Sequence, residues 1–208
     1  MSFTYDGAYC AIPDHENFVL MSSQSGRIIK AQLDSAGNIS TWARIDPIGG
    51  RDYQFVAPFI LDPHNNDLMY LAAGRQLFRN NNISQIPFDN NFDSISINWD
   101  VFSDSLLGTD VKISAIGVSN NPPNTVYVGA NKKRVYKIEN AHQGDPSWQE
   151  ITGWFPTLFP SNGNVNCIAV DPDDADNVFI VFSNYKTYSI YHSVDGGENW
   201  VKVAGNLE

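Results

Sequence analysis

The sequence predicts an all-β fold made of four similar repeats, and three features of the chain predict it. Four of the five tryptophans, Trp42, Trp99, Trp148 and Trp200, stand 57, 49 and 52 residues apart, each after a polar, turn-forming segment. Ahead of each comes an apolar run, a turn rich in Asp, Asn and Pro, and a second apolar run: YCAIPDHENFVLM, PFILDPHNNDLMYLA, SAIGVSNNPPNTVYVGA and NCIAVDPDDADNVFIVF. Helical periodicity is nearly absent. Alternation with β-branched and aromatic enrichment marks the flanks as strands, while Asp-Pro, Asn-Asn and Pro-Pro pairs supply turns that neither a helix nor a strand interior tolerates. The fifth tryptophan, Trp154, falls outside the register.

Each repeat divides into four strands, most clearly the last: Val165 to Val170, Val178 to Ser183, Tyr188 to Ser193 and Trp200 to Ala204. The repeats are placed at about 8–47, 53–103, 111–153 and 163–205 of a single segment, 1–208. A repeat of about 50 residues forming one antiparallel sheet cannot bury both of its faces alone, so stacked neighbours must cover them. The expected architecture is therefore a β-propeller with about four four-stranded antiparallel blades.

At the turn between the third and fourth strands of the last repeat stands SVDGGENW, Ser193 to Trp200. It resembles the Asp-box, S-x-D-x-G-x-T-W, of BNR-repeat propellers, with Asn199 in place of the usual Thr and glycines at Gly196 and Gly197. Degraded versions precede it: QLDSAGNISTW (Gln32 to Trp42), FRNNN followed after an insertion by INW (Phe78 to Asn82, Ile97 to Trp99), and IENAHQGDPSW (Ile138 to Trp148). WD-repeat and kelch signatures are absent. The resemblance extends to sialidases, xyloglucanase-like glycosidases, sortilin-type receptors and photosystem assembly factors. It implies that Ser193, Asp195, Gly196, Gly197 and Trp200 are structural: Asp accepts backbone N–H groups, Gly supplies positive φ, and Trp buries apolar area between sheets. It also implies a ring of six or more blades, so this chain is expected to be an open part of one, completed by further blades of a parent protein or by a second copy.

Charge narrows the partners. A formal net charge of -10, with seven lysines and six arginines dispersed except at Lys132 to Arg134, disfavours nucleic acid, anionic membranes and acidic polymers. No stretch approaches the roughly 20 apolar residues of a membrane span. The opening MSFTYDGAYCAIPD lacks the basic and apolar regions of a signal peptide, which predicts either a cytosolic chain or one lying downstream of its leader. Resemblance and the acidic, Asn-rich composition favour an extracellular, periplasmic or cell-surface setting. Cys10 and Cys167 occupy similar points of the first and fourth repeats and are read as unbridged, buried thiols. No cofactor or metal is expected. The run DPDDADN, Asp171 to Asn177, breaks the alternating-ligand spacing of a calcium loop and reads as a solvated turn.

In a propeller, the loops joining strand two to three and strand four to the next blade share the face opposite the Asp-boxes. The inter-blade set is DPIGGRDYQF (Asp46 to Phe55), FSDSLLGTD (Phe102 to Asp110) and GWFPTLFPSNG (Gly153 to Gly163). The within-blade set is SQSGR, GRQ, ANKKR and SNYKT. Ligand-binding candidates on these loops are Arg51, Tyr53, Arg75, Lys132, Trp154, Phe155 and Tyr185, an aromatic and charged mixture suited to stacking on sugar rings and bonding hydroxyls. Trp154, Phe155 and Phe159 can equally plug a channel. A glycosidase needs two carboxyl groups roughly 5 to 10 Å apart, and Asp52, Asp104 and Asp110 are the candidates. Arg27, Arg51 and Arg75 lie on suitable loops for a sialidase, but its N-terminal arginine motif is absent. The insertion ISQIPFDNNFDSISI, residues 83–97, lengthens a turn on the Asp-box face, and loops of that length either bind a ligand or cover an edge.

The expectation is thus a glycan- or protein-binding propeller segment. Two alternatives stand beside it: part of a glycoside hydrolase, xyloglucanase-like or of another BNR-repeat kind, and a sortilin-like or assembly-factor scaffold.

Overall fold

A computed structural model describes residues 6–14, 16–102, 108–152, 163–184, 188–203 and 205. Among the described residues sixteen strands form four antiparallel sheets, each with its strands in chain order. The first sheet is β1 (Gly7–Ala11), β2 (Val19–Ser23), β3 (Ile28–Leu33) and β4 (Ile39–Arg44). The second is β5 (Phe59–Leu61), β6 (Met69–Ala73), β7 (Gln76–Asn80) and β8 (Trp99–Val101). The third is β9 (Ile113–Val118), β10 (Val126–Ala130), β11 (Val135–Ile138) and β12 (Trp148–Glu150). The fourth is β13 (Val165–Asp171), β14 (Asp174–Phe182), β15 (Ile190–Ser193) and β16 (Val201–Lys202). The first and second sheets make one compact unit and the third and fourth another. No helix is long and apolar enough to cross a membrane among the described residues.

The registers repeat from sheet to sheet. Ala31 pairs with Trp42, Asn80 with Trp99 and Ile138 with Trp148, so the tryptophan spacing seen in the sequence is a spacing in register. In each unit the later tryptophan fastens its sheet to the one before. Trp99 Nε1 donates to the Ile45 carbonyl at 2.8 Å, and Trp200 Nε1 to the Ile151 carbonyl at 3.3 Å. Ile45 and Ile151 are equivalent residues, each just past an outer strand and each donating its N–H to the strand within, at Ile28 and Val135.

In the first unit, Phe18, Leu20, Ile28 and Ala43 pack on Phe59, Met69, Leu71 and Phe78. Lys30 lies within this interface with no exposed surface. Its ammonium donates to the carbonyls of Ile83, Ser84 and Ile86 at 2.8–2.9 Å and sits over the rings of Phe18 and Phe88. Burial pulls its pKa down from 10.5 to about 8, leaving it charged at neutral pH. The acceptors belong to the 83–97 insertion, which takes the edge-covering role. It runs along β4, exchanging backbone hydrogen bonds at Trp42, Arg44, Asp46 and Ile48, while Phe92 lies on Trp42 at 4.3 Å. An open strand edge is a template for unwanted pairing, and this strap occupies it.

In the second unit, Ala115, Tyr127, Val135 and Ile151 pack on Val165, Ile168, Val178, Ile180, Phe182 and Tyr191. The two sheets approach so closely at Gly129 that a Cβ there would overlap the Val165 side chain. Tyr127 carries its hydroxyl across to the Ala175 carbonyl at 3.0 Å.

One expectation needs correction. Cys10 and Cys167 are exposed rather than buried. Each projects from the face of its sheet that points away from the other sheet of its unit: Cys10 pairs with Met21, beside the inward Leu20, and Cys167 pairs with Val181, beside the inward Ile180. The Asp171–Asn177 run is an exposed turn, as expected, with β13 and β14 extending to the register pair Asp171–Asp174 and two residues between them. Its carboxylates cap local groups: Asp171 accepts from the Asp173 N–H and the Asn177 amide, and Asp174 from the Asp176 N–H.

Candidate functional site

The loop from β4 to β5 is held at its base and exposed at its tip. At the base, Asp46 is buried and accepts Arg44 through two nitrogens at 2.8 Å, the Ile28 N–H at 3.2 Å and the Ser94 hydroxyl at 3.0 Å. Tyr53 closes the loop over Gly26 and Gly50, where its ring fills the space a Cβ would need at either position. Burial, with the nearby Asp46 charge, pushes the Tyr53 hydroxyl well above its ordinary pKa. Tyr53 therefore serves as a clamp. Between these anchors Arg51 and Asp52 are exposed, with Asp52 at φ 56°, and the Asp52 backbone and Cβ lie against Gly74 in the β6–β7 turn. Half-buried Arg75 follows directly. The β2–β3 turn joins the same cluster through the Ser25 N–H, which donates to the Phe55 carbonyl at 3.0 Å. The inter-blade and within-blade loops of this unit thus meet at one end of the sheets.

The same loop exposes Ile48 and Phe55, each at 62%. These apolar residues were not among the sequence candidates. The signal available was their position: large apolar side chains in a turn-rich segment between strands, with no alternation to assign them to a core.

In the second unit the corresponding loops also converge. Lys132 and Lys133 are consecutive left-handed residues at the β10–β11 turn, with φ 57° and 60°. Asn131 braces the turn, accepting the Lys112 N–H at 2.8 Å and donating to the Asp110 carbonyl at 3.1 Å. The exposed Lys132 and Asp110 side chains form an ion pair, and the Lys133 N–H donates to the Gly163 carbonyl at 2.7 Å. An exposed pair of this kind contributes at most about 1 kcal/mol to stability. Asp104, Trp154, Phe155, Phe159 and Tyr185 lie outside the described residues. Asp52 and Asp110 belong to different units.

At the other end of the sheets, Ser193 to Trp200 forms a closed hydrogen-bonded turn. Asp195 Oδ1 accepts the Asn199 N–H and the Ser193 hydroxyl at 2.8 Å, and Oδ2 accepts the Asn199 side-chain amide at 2.8 Å. Ser193 Oγ accepts the Gly197 N–H at 2.8 Å. Asn199 thus supplies the side-chain contact expected of the Thr it replaces. Its amide, followed by its backbone N–H, holds the Asp195 carboxyl below its ordinary pKa. Gly196 and Gly197 have φ 68° and 93°, and Gly197 lies flat on Ile151 of the third sheet. The first repeat copies this arrangement: Asp34 accepts the N–H groups of Ala36 and Asn38 at 2.9 and 2.8 Å, with Gly37 at φ 80°.

No protein-family model and no curated protein matches the chain. Solved structures do match in fold. The chain is similar to the GH74 xyloglucanase from Xanthomonas campestris (15% identity, TM-score 0.64, covering 95% of this chain and 30% of that one). It is similar to YCF48 from Cyanidioschyzon merolae (15%, 0.58, 96% and 57%) and to the β-propeller domain of Cps50 (Swd1) from Myceliophteria thermophila (14%, 0.56, 96% and 54%). The chain has the fold of β-propeller blades and spans between about a third and somewhat over half of these chains.

Proposed function

We propose that the chain is an Asp-box propeller segment that binds a glycan or protein ligand outside the cell or at its surface. The ligand is gripped by the loops opposite the Asp-box turns. One observation carries the reading: the 46–55 loop, rigid at its base through Asp46 and Tyr53, presents Arg51, Asp52 and Phe55 to solvent. A fixed base under an exposed aromatic and charged tip is the usual construction of a binding loop on a scaffold. Binding is favoured over hydrolysis because a glycosidic general acid is kept protonated by burial, whereas Asp52 and Asp110 are exposed and Asp110 is neutralised by Lys132.

The test is calorimetric titration of the chain with a panel of plant and microbial oligosaccharides, repeated with Arg51→Ala and Phe55→Ala. Each substitution is expected to weaken the ligand about tenfold, roughly 1.4 kcal/mol, without lowering the melting temperature. Affinity indifferent to both would sink the reading.

The fold likeness to a xyloglucanase supports a second reading, that the chain is part of a glycoside hydrolase using Asp52, Asp104 or Asp110. Release of reducing ends from xyloglucan, abolished by one Asp→Asn change, would establish it over simple binding.

A further inference from the structure

The fourth sheet leaves one face open, and the repeat itself specifies what covers it. Val118 pairs with Val126 in the third sheet as Val170 pairs with Val178 in the fourth. In that register Cys167 stands where the third sheet has Ala115, Phe179 where it has Tyr127, Val181 where it has Gly129, and His192 where it has Lys137. Those third-sheet positions are the ones that meet the fourth sheet. Ala115 and Tyr127 share its core, Gly129 touches Val165, and Lys137 reaches Asp176 at 3.1 Å. On the fourth sheet no described sheet covers the same positions: Cys167 is exposed, Phe179 is 37% exposed and stacks on half-buried His192, and Val181 is half-buried.

The complementary half is carried by the first sheet. Its face toward the second sheet is Phe18, Leu20 and Ile28, so its opposite face is the row Cys10, Met21 and Ile29, paired in that order across β1, β2 and β3, with Cys10 exposed, Met21 half-buried and Ile29 buried beside Ala31 and Trp42. Ile29 follows Ile28 as Tyr191 follows Ile190, and both Ile28 and Ile190 accept the N–H just past the outer strand, from Ile45 and Val203. The row Cys10–Met21–Ile29 is therefore the counterpart of Ile168–Ile180–Tyr191, the row that the fourth sheet turns to the third. One chain thus holds both halves of the sheet-on-sheet contact found inside its second unit.

We propose that a second copy of this chain docks its first sheet on the open face of the fourth, repeating the packing of the fourth sheet on the third. The contact is head-to-tail, with different surfaces on the two copies, and does not depend on which ligand the loops take. It brings Cys10 of one copy, in the Ile168 position, beside Cys167 and Val181 of the other, in the Ala115 and Gly129 positions. Gly117 and Gly129, with Ala115 in the same core, admit Ile168 within the chain; between copies the smaller Cys10 offsets Ala169 and Val181, which replace the two glycines, and Cys167.

The cysteines provide the test. Cys10→Ser and Cys167→Ser chains, each retaining one thiol, are treated with a short bismaleimide separately and as an equimolar mixture. The covalent dimer is expected from the mixture alone, because only there does a Cys10 thiol meet a Cys167 thiol. Light scattering of the untreated chain is expected to give at least twice the chain mass, falling to one with Phe179→Asp while the far-ultraviolet circular dichroism is unchanged. Equal cross-linking by a single variant would show that chance encounters or a like-with-like contact join the copies. That result, or a single-chain mass at all concentrations with no mixed adduct, overturns the proposal and leaves the face to a partner of different sequence.

Discussion

Asp195 and Lys30 show how differently a charged residue can serve this fold. Asp195 stands in a solvent-facing turn and gathers two groups of Asn199 and the Ser193 hydroxyl around its carboxylate. Its pKa lies below the ordinary 3.8, so its contribution is present above that value and is lost as pH falls through the lower, folded pKa. Replacement by Ala is expected to cost about 1 kcal/mol and to flatten the acid limb of the stability profile, measured by urea titration between neutral pH and pH 2. Lys30 has the opposite sign. Its pKa of about 8 lies below the unfolded 10.5, so the buried ammonium costs stability below pH 8 and the cost is relieved as pH rises from about 8 to 10.5. Lys30→Met leaves three backbone carbonyls without their donor and is expected to destabilise by about 2–4 kcal/mol. The gap between wild type and variant should widen between pH 8 and 10.

At the scale of elements, close approach of the third and fourth sheets makes Gly129 a packing residue. Gly129→Ala is expected to cost about 1–3 kcal/mol by overpacking against Val165, read as a lower urea midpoint with unchanged slope. The strap 83–97 contributes by covering the β4 edge and burying Lys30. Exchanging it for a four-residue turn should increase amide exchange along Trp42 to Asp46, and unchanged protection there would contradict its role. Much of this level is legible in the sequence. The spacing of Trp42, Trp99 and Trp148 marks the outer strands because it is a register periodicity, Trp200 stands directly before β16, and Asp34–Asn38 repeats Asp195–Asn199 as local turn chemistry. The strap's partner is not legible, since the contact of Phe92 with Trp42 joins residues 50 apart and leaves no local pattern. The cysteines are misread for a related reason: an apolar strand residue is assigned inward by composition, whereas which face is inward depends on the neighbouring sheet.

At the largest scale, the sheets within each unit carry different work at their two ends. Turns between third and fourth strands, such as Ser193–Trp200, hold sheets together through Trp200 and Gly197. Loops at the other end of the sheets expose Arg51, Asp52 and Phe55 in the first unit and Lys132 in the second. The loops within each unit are legible as a set from strand order, whereas the packing of Tyr53 over Gly26 and Gly50 is a tertiary fact with no local signal. The most direct test compares ligand affinity and melting temperature in Phe55→Ala and Asp195→Ala. The account predicts that Phe55→Ala weakens binding about tenfold with the melting temperature unchanged, and that Asp195→Ala lowers the melting temperature while leaving affinity intact. Affinity that follows Asp195 and ignores Phe55 would remove the ligand from the 46–55 loop and contradict it.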